Sequence, residues 1–258
     1  MKKKLKILIF LLAALFLWAG TSSAEVIIDE YIGANDHGYG DVIEDPGSNY
    51  FDISSMEVTF SGGYMNVKIN TNFEEIAPGN RNETDTYGAT YGDLFISTDG
   101  WDPYEKTTND GYKYDNYSNG EDWEFVFDTS TGILYQLPEY DNTTINNYIY
   151  FPTDIWDPRY WIVRDGQEVK YKSGGTEISD GSSVDLSNAK LGGGYLLYQI
   201  DLSSLGSYGN EIGLKWSEDC GNDSIEGKVS VPEPTPMILL GSGLIWLAGF
   251  GRRKFLKN

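Results

Sequence analysis

The middle of this chain is predicted to form a single all-β domain, and three observations predict it. Short runs alternating apolar and polar residues recur between residues 25 and 230, while helical periodicity is scarce. Those runs are rich in Tyr, Trp, Phe, Val and Ile, which suit a pleated surface. Clusters of Gly, Asn, Asp and Ser separate them, and each of these residues favours a turn for its own reason. About ten or eleven strands result, and sheets of that number stack as a sandwich or curl as a jelly roll. The expected architecture is a single jelly-roll-like β-sandwich with long loops.

The elements follow in chain order. "FDISSMEVTF" and "YMNVKIN" flank Ser61-Gly62-Gly63, whose glycines permit the positive φ of a hairpin turn. Met65, Val67 and Ile69 share one face of the second run. "GDLFIS" over 92–97 is the next strand. "DWEFVFD" and "ILYQL" form a hairpin around Thr129 to Gly132, with Trp123, Phe125 and Phe127 on one face and Glu124, Val126 and Asp128 on the other. "YWIV" and "EVKYK" are expected to pair around Asp165-Gly166. "YLLYQIDL", "EIGLKWS" and "IEGKVSV" complete the set. The long loops fall at 33–50, 74–91, 98–121 and 138–158, and loops of such length are usually functional or disordered.

Both ends read differently from the middle. Residues 1–24 carry lysines, an apolar run from Ile7 to Ala19, and small residues at Ser22 and Ala24, the layout of a secretory signal peptide cleaved after Ala24 by signal peptidase. At the other end, "VPEPTP" precedes a short apolar segment, and Arg252, Arg253 and Lys254 follow it. A transmembrane helix is expected over about 236–251. Its apolar part, Met237 to Phe250, covers about 21 Å at about 1.5 Å per residue, so proline, glycine and snorkelling arginines must extend its reach. The basic tip belongs on the cytoplasmic side, which places residues 25–230 outside. Each proline lacks an N–H and fixes φ, so the peptide before the helix stays extended, as a protease cleft requires.

This three-part tail resembles the PEP-CTERM sorting signal, with Val231, Pro232, Glu233 and Pro234 as recognition element and Arg252, Arg253 and Lys254 as retention element. The resemblance covers residues 231–254. It implies that exosortase, a membrane-embedded cysteine transpeptidase of Gram-negative bacteria, cleaves near Pro232–Pro234. It further implies passage through an inner-membrane intermediate to the cell surface or extracellular matrix, and an association with exopolysaccharide and biofilm. "WSEDCGND" is also similar to a stretch in domains that precede such tails, and implies no activity.

The chain has 39 acidic and 19 basic residues. Removing the two ends takes away eight basic residues and Glu233, leaving a body of formal charge −27. Such a surface repels phosphates, which excludes nucleic acid as a partner and favours cations or neutral ligands such as sugars. Cys220 is the single cysteine, so no disulfide closes within the chain.

Three sets of side chains are candidates for chemistry. Trp101, Tyr104, Tyr112, Tyr114 and Tyr117, with Trp156 and Trp161 from a second loop, mix aromatic faces with Asp and Asn. Rings stack on sugar C–H faces while the polar groups bond hydroxyls, so glycan binding is one reading; covering the end of a core is the other. "DEYIGANDHGYGDVIED" offers Asp29, Asp36 and Asp41 among glycines as ligands for calcium, the one cofactor considered, although the spacing departs from the EF-hand loop. His37 is the lone histidine and no G-x-S-x-G elbow accompanies it, which argues against a catalytic triad. The expectation is a non-catalytic surface or matrix protein. A glycan-processing enzyme and a calcium-stiffened spacer stand as alternatives.

Overall fold

In the computed structural model the described residues are 24–33, 41–43, 50–75, 89–108, 111–139, 149–150, 166–179 and 181–232. They form thirteen strands, with alternating burial in the first sheet and burial on both sides in much of the second. These are β1 (Ala24–Ile28), β2 (Ile53–Ser61), β3 (Tyr64–Thr71), β4 (Leu94–Ser97), β5 (Phe125–Asp128), β6 (Ile133–Gln136), β7 (Ile149–Tyr150), β8 (Lys170–Tyr171), β9 (Thr176–Ile178), β10 (Ser183–Asp185), β11 (Gly194–Asp201), β12 (Glu211–Ser217) and β13 (Ser224–Ser230). Among the described residues helix is confined to a 3-10 turn at Leu202–Leu205, capped by the Asp201 side chain, which accepts from Ser203 N. The chain divides into two units, of which Ser23–Val231 is one; the other contains a single described residue, Pro232. No helix among the described residues is long and apolar enough to cross a membrane, and the segment expected to do so, 236–251, lies outside them.

The main pairings are antiparallel. One sheet runs β1-β2-β3-β11-β10, the second β13-β12-β4-β5-β6-β9, and β7 pairs with β8 in a two-stranded sheet. The β2–β3 hairpin closes through Gly62 and Gly63, at φ 61° and 88°. Ser61 pairs with Tyr64 across this two-residue turn, which requires positive φ at both central positions. At the β5–β6 turn Asp128 Oδ1 accepts from Ser130 N at 2.9 Å and Ser130 Oγ at 2.7 Å.

Met56, Val58 and Phe60 of β2, Met65, Val67 and Ile69 of β3, and Leu196, Tyr198 and Ile200 of β11 point to one side of the first sheet. They join Leu94, Ile96, Phe125, Phe127, Leu134, Ile212, Leu214 and Trp216 of the second sheet in one buried cluster. The Tyr198 ring meets Phe127 edge-on at 5.7 Å. The Tyr198 hydroxyl accepts from Trp216 Nε1 at 2.9 Å and shares a 2.9 Å hydrogen bond with Thr129 Oγ1. Two antiparallel sheets thus share a core whose buried hydroxyl and indole are satisfied, as buried polar groups must be.

The second sheet is buried on its other side too. Phe95, Val126, Trp123 and Leu137 form a smaller cluster there, covered by Trp101, Tyr117, Tyr135 and Tyr171. This corrects the expected facing of Trp123, which packs with Val126 and not with Phe125 and Phe127. Regular strand begins only at Phe125, and two-residue alternation does not carry a side chain's direction beyond the ladder. The expected partner of 168–172, "YWIV", lies outside the described residues, and the described partner of Lys170–Tyr171 is Ile149–Tyr150. β7 lies within the loop expected over 138–158. Of the remaining strands, β1, β9 and β10 were not anticipated. Each is short and edge-placed or adjoins an edge, with exposed positions that blunt the alternation signal.

Candidate functional site

Three distant stretches bring carboxylates together at one end of the first strand. Asp29 follows β1, Asp41 lies in the segment 41–43, and Asp223 closes the turn from β12 to β13. One oxygen from each lies within 4.8 Å of the others. Asp29 and Asp223 are buried, and Asp41 is half-buried. The backbone holds the arrangement. Ile32 N donates to Asp41 Oδ2 at 2.6 Å, Ile53 N donates to Asp223 Oδ2, and Ser224 N donates to Asp223 Oδ1 at 2.8 Å. Glu218 Oε2 accepts from Asp223 N at 3.3 Å. Burial, reinforced by the charges of Asp41, Asp29 and Glu218, raises the Asp223 carboxyl well above the usual range.

Like charges about 4 Å apart repel by about 4 kcal/mol per pair in a half-screened site, so such a group needs a proton or a cation. The donors are all oxygen, with neither histidine nor thiolate among them, and that set suits a hard divalent ion such as calcium. The structure therefore joins Asp29 and Asp41, both candidates from sequence, to Asp223, which sequence reasoning missed. Asp36 and His37 lie outside the described residues. The signal for Asp223 was present in "CGND", within the stretch similar to those preceding such tails. It is a turn: Gly221 adopts φ 63°, and its N–H donates to Glu218 O at 2.9 Å. Cys220 is buried in the main core, and Asp219 clasps Thr90, accepting from its N–H at 2.9 Å and its hydroxyl at 2.8 Å.

A second acidic trio, Asp99, Glu121 and Glu124, has oxygens within 4.8 Å of one another. Here each carboxylate meets a donor at the base of the aromatic loop. Thr98 N donates to Glu124 at 2.7 Å, Ser97 Oγ to Asp99 at 2.8 Å, and Asp102 N to Glu121. Burial pushes Glu121 up to about 7, with Asp99 and Glu124 adding to the effect.

The aromatic residues divide. Trp101 packs on the smaller cluster, and its ring meets Tyr112 edge-on at 5.0 Å. Lys106 Nζ sits 5.0 Å over the Tyr112 ring and pairs with Glu30. Tyr117 covers the same cluster, whereas Tyr104 and Tyr114 are exposed. Trp156 and Trp161 lie outside the described residues. A polar groove of about 480 Å³ opens elsewhere, bounded by Ser54, Asn72, Asn188, Lys190 and Tyr195, and no carboxylate lines it.

Of the processing residues, Ala24 is the exposed first residue of β1, paired with Thr59. Val231 is half-buried against the main core, and its N–H donates to Asn210 O at 2.8 Å. Pro232 is half-buried, while Glu233, Pro234, Arg252, Arg253 and Lys254 lie outside the described residues.

Sequence reasoning also missed a polar cluster on the outer side of the second sheet. Lys215 is buried, and its Nζ donates to Glu168 Oε2 at 2.7 Å and Gln167 Oε1 at 2.8 Å. Glu226 Oε2 stands 3.8 Å away. The one available signal was a lysine at an alternate position in "EIGLKWS", which reads as solvent-facing until the cover is known.

No family model matches the chain, and neither the curated proteins nor the solved structures contain a match to it.

Proposed function

We propose that this chain is an exported, non-catalytic surface or biofilm-matrix protein, with a signal peptide over 1–24, a β-sandwich body over 25–230 and a sorting signal over 231–258. The three-part tail carries this reading: Val231-Pro232-Glu233-Pro234, an apolar segment, then Arg252-Arg253-Lys254. The architecture supports it, because the unit containing the sheets ends at Val231 and the Pro-Glu-Pro peptide begins at the next residue. Exosortase would cut near Pro232–Pro234 and free the body from an inner-membrane intermediate of a Gram-negative cell. The intact mass of material from the surface tests this. A form ending within 231–235 is expected, and mature protein that keeps Arg252 overturns the reading. Exposed Tyr104 and Tyr114 leave room for exopolysaccharide contact, which titration with the host's own polysaccharide would detect.

A second reading, favoured by the convergence of Asp29, Asp41 and Asp223, is a body stiffened by calcium. An ion at a hundred times its Kd adds about 2.7 kcal/mol of stability. Chelation is therefore expected to lower the Tm by several degrees, and Asp223→Asn to abolish that sensitivity. A melt unchanged by chelator overturns the calcium reading and leaves the sorting reading intact.

A further inference from the structure

Lysine is almost never fully buried unless it is paired, and its stem usually carries the ammonium to water. Lys215 stays buried and is paired. It sits on β12, paired in register with Glu226 of β13 on one side and Phe95 of β4 on the other. Lys215, Gln167, Glu168 and Glu226 are all buried. The Gln167 side chain is fixed at both ends. Its Oε1 accepts from Lys215 Nζ at 2.8 Å, and its Nε2 donates towards Asp115 O at 3.4 Å. A Cβ on Gly33 would lie 1.9 Å from Gln167 Nε2, so only glycine leaves space for this amide. A carbonyl bond is about 1.2 Å long, so the amide carbon lies within about 4 Å of the amine nitrogen. That is close to attacking range in a dry site where neither group can wander.

The geometry points to an intramolecular isopeptide bond between Lys215 Nζ and Gln167 Cδ, formed by the folded chain itself with Glu226 as proton shuttle. The ammonium of Lys215 first gives one proton to the Glu226 carboxylate, which leaves an amine and a carboxylic acid. Burial disfavours both charges and raises the Glu226 carboxyl, but the charges of Glu168, Glu226 and Asp115 outweigh burial at Lys215 and hold its ammonium above the usual range, so the exchange works against that pull. The Nζ lone pair forms a bond to Cδ, and the carbonyl π pair moves onto Oε1. Glu226 protonates Nε2 and takes back a proton from Nζ. The Oε1 pair then re-forms the carbonyl, the Cδ–Nε2 bond breaks, and ammonia leaves. No oxidant or co-reactant is consumed, and Glu226 ends as the acid. Glu168 Oε2, 2.7 Å from Nζ, is placed to accept the remaining N–H. With a single cysteine, the chain has no intrachain disulfide, and this bond supplies a covalent staple between residues 167 and 215. The inference stands on Lys215 and its neighbours and does not require the sorting reading.

Peptide mapping of the full-length protein by trypsin and mass spectrometry tests it. The expected product is the peptide 165–170 joined to 191–228, lighter than the sum of its parts by the roughly 17 Da of ammonia, with no cleavage after Lys215. Separate peptides 191–215 and 216–228 at unmodified mass overturn the proposal. A loss of roughly 18 Da mapped to Glu168 overturns Gln167 as the acceptor, because water and not ammonia would have left. Glu226→Gln keeps the shape of the site and is expected to return the unlinked peptides. A cross-link persisting in that variant overturns the role of Glu226. Because the wild-type map alone decides whether the bond exists, a variant that fails to fold does not shield the proposal.

Discussion

The two sides of the six-stranded sheet both bury apolar side chains, yet only the outer side adds a buried charged cluster to them. Strand β12 displays the contrast residue by residue. Ile212, Leu214 and Trp216 enter a hydrocarbon core shared with the five-stranded sheet. Lys215, between them, enters a polar cluster with Gln167, Glu168 and Glu226. The inner side is stabilised by area removed from water, at about 25 cal/mol per Å² of apolar surface, and tolerates imprecision. The outer side gains little net energy from its charges but must keep every partner, because an uncompensated buried charge is costly. Specificity of loop placement therefore resides on the outer side, where residues 167–168 and 115 meet the sheet.

Substitutions can break or sharpen this contrast. The largest effect is expected from Trp216→Ala on the inner side, about 5 kcal/mol, since a cavity forms and the Tyr198 hydroxyl loses the indole donor. Urea denaturation measures it. Relative to the chain before cross-linking, Lys215→Met on the outer side should cost about 3 kcal/mol by leaving buried carboxylates unpaired. Adding Glu168→Gln and Glu226→Gln to it should restore most of that loss. A Lys215→Met variant as stable as wild type would erase the proposed difference between the two sides.

Asp93 joins the sides and should show an intermediate effect. Its Oδ1 accepts from Thr129 N at the β5–β6 turn, and its Oδ2 from Tyr171 N of β8, both at 2.8 Å. Burial outweighs these two donors and pushes the carboxyl from 3.8 up to about 7. The unfolded chain releases this proton near the lower value and the folded chain keeps it to about 7. The site's contribution to stability is therefore complete below the lower value and is lost as pH rises through that window. Asp93→Asn should cost about 2 kcal/mol at pH 5, because one amide donor loses its acceptor. The gap from wild type should narrow at about pH 8, where wild type has lost its protonated Asp93. Denaturation curves at the two pH values decide it, and a gap that widens would mean that the amide donors outweigh burial. The smallest effect, under about 0.5 kcal/mol, is expected for Tyr114→Ala, an exposed ring.

Much of the fold was legible because it depends on local periodicity. The Gly62-Gly63 hairpin, the Phe125–Gln136 hairpin and the three late strands fall where alternation and turn residues put them. The failures are equally specific. Trp123 was assigned by continuing an alternation past the end of its ladder, and the short edge strands had too few inward residues to show a pattern.

By itself, then, the sequence determined the β class and the principal hairpins, since each is written in neighbouring residues and their spacing. Which acids meet was left to the tertiary structure. Asp29, Asp41 and Asp223 converge from separate parts of the chain, and Lys215 is enclosed by residues 167 and 168, brought from another loop. A lysine in an alternating strand reads as a solvated side chain until a second layer covers it. Burial and like-charge proximity are properties of chain packing, and they alone turn ordinary acids and an ordinary lysine into groups with a chemistry of their own.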